Sequence, residues 1–577
     1  MKFGAVPTSI GARFSLYSPA ARRADVRLFD SAGARPIATR PLAHEGDGSF
    51  AGEVFGAGEG ALYKFVLDGR EVPDPYARSL PFGVHGPARV EAPRHTWAHD
   101  APARRLSELI VYELHVGTFT PEGTYCAAID RLPYLADLGV TAVELMPLSS
   151  FPGRRGWGYD GVAHFAPFAP YGTPDDLRAF VDAAHGLGLF AILDVVYNHF
   201  GPAGNYLSAY DEGYFTREHT TPWGDALDYT NPAMRAYALE NARYWLDELR
   251  FDGLRLDATH SIVDPSRVSI LKELSALARS LDPPRVLFAE DERNDPRLIT
   301  EEGLDAVWAD DFHHQVRVLL THESEGYFAG YRPSVADLAR LIERGWLYEG
   351  QALPSGKPRG RPCEGLRREQ LVYCIQNHDQ IGNRAMGRRL HQDASVDAFL
   401  AATTLLLFLP ATPLLFMGQE WAASTPFLYF CDHDEALGAM ITAGRREEFK
   451  GFRDFADPKI RETIPSPQDE RTFLASKLRW DERLTGEHAR ALDLHRRMLR
   501  LRRDDEVLAS PDAPLAATAD GDVLCVTRSH GGQRRALLFN FGREPVSLAD
   551  HGEPILRSAA HGPSGWLSPR EAAVLRL

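Results

Sequence analysis

Leu189-Phe-Ala-Ile-Leu-Asp194-Val-Val-Tyr-Asn198-His199 is an apolar run that ends in a carboxylate, an amide and an imidazole. A strand that is apolar on both faces belongs in a parallel sheet covered by helices, whereas a half-exposed strand alternates. Runs of the same kind recur at 109–116, 140–148, 251–257, 285–290, 306–310, 370–376 and 412–417, which makes eight. Between them lie amphipathic stretches such as 174–186 and 231–249, where Ala238, Leu239, Ala242, Trp245, Leu246 and Leu249 recur at helical spacing. Eight β-then-α units in succession predict an α/β fold, a closed (β/α)8 TIM barrel over 108–504, more than an open doubly wound sheet. That span exceeds the roughly 250 residues usual for such a barrel, so enlarged loops are expected at 200–231, 312–368 and 420–485. Each follows the carboxyl end of a strand, the face where barrel enzymes assemble their sites.

The flanks read differently. Residues 1–90 hold short alternating strands, with Val26 and Leu28 between Asp25, Arg27 and Asp30, and turns at Asp47-Gly48 and Asp68-Gly69. This pattern predicts an N-terminal β-sandwich. Residues 91–107, with Pro93 and Pro102 among polar neighbours, read as a linker. After a charged helix around 487–503, residues 505–577 return to strands, and Ser529-His-Gly-Gly532 marks a hairpin in a small C-terminal β-domain. The run 398–418 has membrane length, but Pro410 and Pro413 break it, so it reads as a buried helix, a turn and a short buried strand.

Charge narrows the partners. The 577 residues carry 64 Lys+Arg against 79 Asp+Glu, a formal net charge of -15. Phosphate backbones and anionic lipid headgroups should repel such a chain, so neither nucleic acid nor membrane is an expected partner. A neutral or small substrate fits. Five scattered cysteines without a CxxC argue against a disulfide framework or a structural zinc site, and the amino terminus lacks the apolar core of a secretory signal. A cytoplasmic location is expected. No compact run of oxygen ligands is visible, so neither a cofactor nor a required metal is expected. His313 and His314 beside Asp310 and Asp311 suggest a metal site at first sight, but adjacent residues of a strand point to opposite faces.

The chemistry lies at the strand ends. Asp194 and His199 close the third run, Asp257 the fourth, Glu290 the fifth, and Gln376-Asn-His378-Asp379 the seventh. Period-two geometry puts Gly253, Arg255 and Asp257 on one face, with Arg255 and Asp257 roughly 7 Å apart at Cα. A guanidinium that close keeps Asp257 ionised, ready to act as a nucleophile. Glu290 has Asp291 and Glu292 beside it in sequence and Asp257 and Asp379 near in space, and like charges raise its pKa toward that of a general acid. Two carboxylates with opposite protonation demands suggest glycosidic-bond cleavage. Trp157, Tyr159, Tyr197, Trp223, Trp421, Phe427, Tyr429 and Phe430 fall in or beside the rim loops, where flat aromatic faces suit pyranose rings.

Four motifs, Asp194-Val-Val-Tyr-Asn-His199, Gly253-Leu-Arg-Leu-Asp-Ala-Thr-His260, Ala289-Glu-Asp-Glu292 and Gln376-Asn-His-Asp379, resemble those of the α-amylase family of retaining glycoside hydrolases and transglycosylases. The resemblance implies Asp257 as nucleophile, Glu290 as acid/base and Asp379 as the third carboxylate, holding sugar hydroxyls. It implies that Tyr159 stacks on the sugar, that His199 and His378 bind hydroxyls, and that Asp194 with Arg255 props the nucleophile; Trp157 belongs with the substrate-binding set.

Tyr112-Glu-Leu-His-Val-Gly-Thr-Phe119, Gly156-Trp-Gly-Tyr-Asp160, Phe288-Ala-Glu-Asp-Glu-Arg-Asn-Asp295 and Leu415-Phe-Met-Gly-Gln-Glu-Trp421 look like a subgroup acting on maltooligosyltrehalose and related α-glucans. Members of that subgroup cut the α-1,4 bond next to a terminal trehalose unit. Gln419 departs from the family pattern, where an acidic residue is expected. The alternatives are an α-glucan branching or debranching enzyme of the same family, or a non-catalytic glucan-binding protein, which should have lost one of the three carboxylates.

Overall fold

The computed structural model describes residues 3–221, 224–354, 356–549, 551–559 and 565–577. Eight parallel strands pair in chain order: β1 (Val111–Leu114), β2 (Ala142–Leu145), β3 (Phe190–Val195), β4 (Gly253–Leu256), β5 (Val286–Glu290), β6 (Ala306–Trp308), β7 (Leu371–Tyr373) and β8 (Thr412–Phe416). β8 pairs back onto β1, with Leu415 opposite Tyr112, and closes the barrel. All eight expected strands are present, each shorter than the apolar run that announced it.

Inward-facing side chains form two layers. The lower is apolar, with Val111, Ala142, Ile192, Phe288, Ala306 and Val372 in one cluster. Two residues further along the strands, on the same face, the layer becomes polar: Glu113, Glu144, Asp194, Arg255 and Glu290. The outward Leu254 and Leu256 join the main core beneath the helices, each buried Leu contributing about 1.5–3 kcal/mol.

Helix Pro174–Gly186 opens with a proline in its first turn and a reciprocal cap between Thr173 and Asp176. Helix Val396–Phe408 is buried from Ala398 onward. Its end is set by Pro410, which disfavours helical backbone at Leu409, and Leu409 is extended at φ -71, ψ 149. Two guanidiniums cap that end. Arg502 donates to the carbonyls of Leu407, Leu409 and Ala411, and Arg528 of the C-terminal sheet donates to Phe408 O at 2.9 Å. The run 398–418 is thus a buried helix, a turn and β8. Among the described residues, no helix is long and apolar enough to cross a membrane.

The N-terminal strands form two facing sheets, and Asp68 and Gly69 take positive φ (47° and 91°) in a two-residue hairpin turn. The sandwich grips the insert after β3: Ser18 Oγ donates to Tyr210 O at 2.7 Å, and Tyr210 Oη to Pro73 O at 2.8 Å. The stretch read as a linker lies along helix Pro174–Gly186, where Asp182 accepts the backbone N–H groups of Ala98 and His99. The C-terminal region holds a five-stranded antiparallel sheet, with the hairpin turning at Gly531-Gly532.

Three differences from the sequence reading have physical causes. Residues 312–368 are not one loop; they contain most of helix Asp311–Thr321 and all of Val335–Arg344, the latter capped by Ser334. His313 and His314 therefore lie on a helix and not on a strand, bonded to Asp310 and to Tyr331 Oη respectively. An insert after β2 was not expected; it is pinned by pairing of Ser149–Ser150 with Ala163–Pro167 and carries Trp157 and Tyr159.

Candidate active site

Strand register builds the centre. β3 and β4 pair with Asp194 opposite Arg255, so the two side chains leave neighbouring strands at one level. Arg255 is fully buried, and its Nη1 donates to both oxygens of Asp194 at 2.8 Å and to Asp257 Oδ1 at 2.9 Å. Its Nη2 lies 2.9 Å from Glu290 Oε2, and its plane stacks 4.4 Å from the Trp308 ring centre. Removing a guanidinium from water costs several kcal/mol unless it is paired; here three carboxyls and an aromatic face surround it.

The two central carboxyls are driven apart in protonation. Burial raises Asp257, but Arg255, His199 and the Asn198 amide, which donates to Oδ2 at 2.7 Å, outweigh it and leave its pKa below the ordinary aspartate value. Glu290 is raised to about 8, chiefly by burial, with Asp257, Asp379 and Asp310 adding and Arg255 opposing. The sequence reading credited like charges alone, and of the four it named Asp257 and Asp379 contribute, whereas Asp291 and Glu292 do not. Asp291 points away, bound to Thr259 Oγ1 and Arg293, and Glu292 is exposed. Period two, which places Asp257 correctly, also turns Asp291 out of the site.

Burial also raises Asp194, to about 7, against Arg255. Asp379 follows β7 and is partly exposed, with Asn383 Nδ2 donating to it at 3.1 Å and His378 Nε2 lying 3.6 Å away, beyond hydrogen-bond reach. Tyr159 Oη bridges Asp194 Oδ2 (2.7 Å) and His378 Nε2 (2.8 Å), and its ring stacks on the imidazole. His199 Nε2 contacts Tyr159 O at 3.0 Å. Trp157 stands one layer back: it is 5% exposed, stacked on Phe427, with its indole N–H on Leu428 O. All nine expected site residues thus converge on one rim.

The aromatic set divides. Tyr197, Trp421, Phe427 and Phe430 are core residues, whereas Tyr159 and Tyr429 keep partial exposure. Trp223 lies outside the described residues.

Several partners were not assigned from sequence. Asn198 sits inside the quoted Asp194 motif without a stated role. Ala258 adopts left-handed backbone (φ 40, ψ 54) just after Asp257, which aims its N–H at Glu290 Oε2, 2.8 Å away. Glu113, an acid within a buried strand, was the readable signal, because period two puts it inward. Asn383 is itself held by Arg445 at 3.0 Å, and Arg445 comes from helix Glu435–Glu448 after β8. Among the described residues, no group of three or more His, Cys, Asp or Glu is poised to hold a metal ion.

The family described as "Alpha amylase, catalytic domain" matches residues 96–222, and "Carbohydrate-binding module 48 (Isoamylase N-terminal domain)" matches residues 2–77. Over 551 residues the chain is 51% identical to the malto-oligosyltrehalose trehalohydrolase of Deinococcus radiodurans, spanning 94% of this chain and 90% of that protein. It is 42% identical over 541 residues to the enzyme of that name from Rhizobium sp. (strain M-11), covering 89% of each. A crystal structure from Salmonella typhimurium, provisionally described as an alpha amylase, superposes with a TM-score of 0.90 at 37% identity, covering 100% of this chain and 99% of that one.

Proposed function

Because this chain belongs to the malto-oligosyltrehalose trehalohydrolases, glycoside hydrolases of the α-amylase family, we infer that it cuts the α-1,4-glucosidic bond next to the terminal trehalose unit of maltooligosyltrehalose. Trehalose and a shortened maltooligosaccharide are the products. The observation that carries the chemistry is the pair Asp257 and Glu290, bound to one guanidinium and shifted in opposite directions.

Asp257 attacks the anomeric carbon of the glucose whose C1 is linked to trehalose, while Glu290 gives its proton to the departing glycosidic oxygen. The bond from that carbon to oxygen breaks, trehalose leaves, and the maltooligosyl unit stays on Asp257. Glu290, now a carboxylate, takes a proton from water, whose oxygen displaces Asp257 and restores the original configuration. The charge on Arg255 keeps Asp257 anionic before attack and a good leaving group after it. Asp379, with the Tyr159 face opposite, holds ring hydroxyls, while Asp194 fixes Arg255. Trp157 backs the pocket behind Tyr159.

The net charge fits an α-glucan substrate met away from nucleic acid and anionic lipid. Five free thiols fit a reducing cytoplasm.

Incubation with maltooligosyltrehalose should yield trehalose among the first products. New α-1,6 branches, or loss of existing ones, would place the chain with the branching or debranching enzymes, and binding without turnover with the non-catalytic alternative. Asp257→Ala and Glu290→Gln should each lower kcat by about 10⁴ or more while the protein still binds maltooligosaccharide.

A further inference from the structure

Glu113 is a carboxylate in the buried polar layer to which the reaction above gives no task. Its Oε2 accepts the backbone N–H of His378 at 3.2 Å, and its Oε1 binds His378 Nδ1. Both residues are 1% exposed. The second ring nitrogen, Nε2, meets Tyr159 Oη, which in turn meets Asp194.

With Asp194 and Glu113 as carboxylates, a count of hydrogens fixes where they sit. A tyrosine hydroxyl has one hydrogen to give. Asp194 already accepts from Arg255 at both oxygens, so as an acceptor it takes the hydrogen of Tyr159. The Tyr159 oxygen is then left to accept, and His378 Nε2 must donate to it. Glu113 accepts at Nδ1. Both ring nitrogens carry hydrogen, and the ring is an imidazolium.

We propose that Glu113 is a positioning residue for the glycosidic reaction, holding His378 as an imidazolium that orients Tyr159 under the sugar and sets a positive charge beside Asp379. In the row Glu113, His378, Tyr159, Asp194, Arg255, Asp257 the carboxylates accept, the two cations donate and the Tyr159 hydroxyl does both, from the first barrel strand to the nucleophile. This rests on the retaining-hydrolase reading given above.

The groups that face His378 agree with this. Burial pushes the imidazole down, yet Glu113 and Asp379 outweigh it and raise it to about 9, with Arg255 opposing. Glu144 on β2 is raised well above the carboxylate range by burial and by Glu113 and Asp194, with Arg255 and His378 opposing. His115, after β1, is pushed down to about 3 by burial and is neutral. Tyr159 is raised well above its ordinary value by burial and keeps its hydrogen.

The test is Glu113→Gln, which keeps the shape and an acceptor oxygen but removes the charge. With only Asp379 left to oppose burial and Arg255, His378 becomes neutral in the physiological range. The ratio of variant to wild-type kcat/KM on maltooligosyltrehalose should fall with rising pH, by about tenfold per unit once the ring deprotonates, and recover toward pH 5. Glu290 titrates in both proteins and cancels in the ratio, whereas Asp194, which the His378 charge helps to hold down, shifts with that ring and belongs to the same response. Glu113→Asp, which restores the charge, should give a ratio that is flat with pH.

A flat ratio for Glu113→Gln overturns the proposal, since a merely structural role lowers activity equally at all pH. Should that variant fail to fold, ¹⁵N-histidine NMR of the wild type, assigned against His378→Asn, decides independently of substrate. Both His378 nitrogens should be protonated at pH 7.5; a neutral ring overturns the proposal. If Asp257→Ala loses turnover while the ratio is flat, the role of Glu113 alone is wrong. If Asp257→Ala stays active, the hydrolase reading fails first.

Discussion

Arg255 at the rim and Arg502 with Arg528 at the C-terminal seam are all buried guanidiniums, but they solve that problem in opposite ways. Arg255 is surrounded by carboxyls, and although burial acts to lower its pKa, Asp194, Glu290, Tyr159 and Asp257 carry it well above the ordinary value. Arg502 and Arg528 bind backbone carbonyls, and burial pushes them down to about 10 and about 9. Carbonyl ligands carry partial charge, concentrated at the carboxyl end of a helix; they fasten Val396–Phe408 to the following helix and sheet without creating a reactive group. The carboxyls around Arg255 instead divide, Asp257 lowered and Glu290 raised. The same residue type is a fastener in one place and a charge divider in the other.

That contrast can be broken in order of size. Arg255→Lys should lower kcat/KM by about 10³, since a single ammonium cannot span Asp194, Asp257 and Glu290 at once; near-normal kinetics would erase the distinction. Arg528→Met should instead cost about 3 kcal/mol of stability by stranding carbonyls, read as a lower urea midpoint, with kcat per folded molecule unchanged.

The pH profile sharpens the charge-divider half. Glu290 must hold its proton to donate it, so kcat/KM should fall about tenfold per unit as pH rises through about 8. Asp257 must lack its proton, and its lowered pKa puts that limb below the ordinary aspartate range. Residual activity of Glu290→Gln should lose the alkaline limb; a limb that persists unchanged belongs to another group. Smallest, Thr173→Ala should cost about 1 kcal/mol by removing the cap of Pro174–Gly186, leaving the kinetics untouched.

The barrel was legible because parallel strands buried on both faces leave uninterrupted apolar runs, and because Asp194, Asp257, Glu290 and Asp379 interrupt them only at the rim. Arg255 was legible from its two-residue spacing to Asp257. What escaped depends on partners far apart in the chain. Glu113 meets His378 across 265 residues, and no local pattern announces that. The insert after β2 is fixed by two short paired segments with little alternation to read, and the pKa of Glu290 was assigned to like charges in sequence and in space when depth in the barrel was the larger cause. Helix Val335–Arg344, with Leu338, Leu341 and Ile342 buried on one side, carried a readable period that the distance between strands six and seven obscured.

The grip of Ser18 and Pro73 on Tyr210 gives the amino-terminal module a second duty. It clamps the insert that starts directly after His199 and continues into the hairpin of Phe215–Thr221 with Gly224–Leu227. A chain shortened to begin near residue 91 would keep every catalytic side chain, yet would free one wall of the cleft. Loss of glucan turnover after such a trimming would therefore not show that the module itself handles sugar.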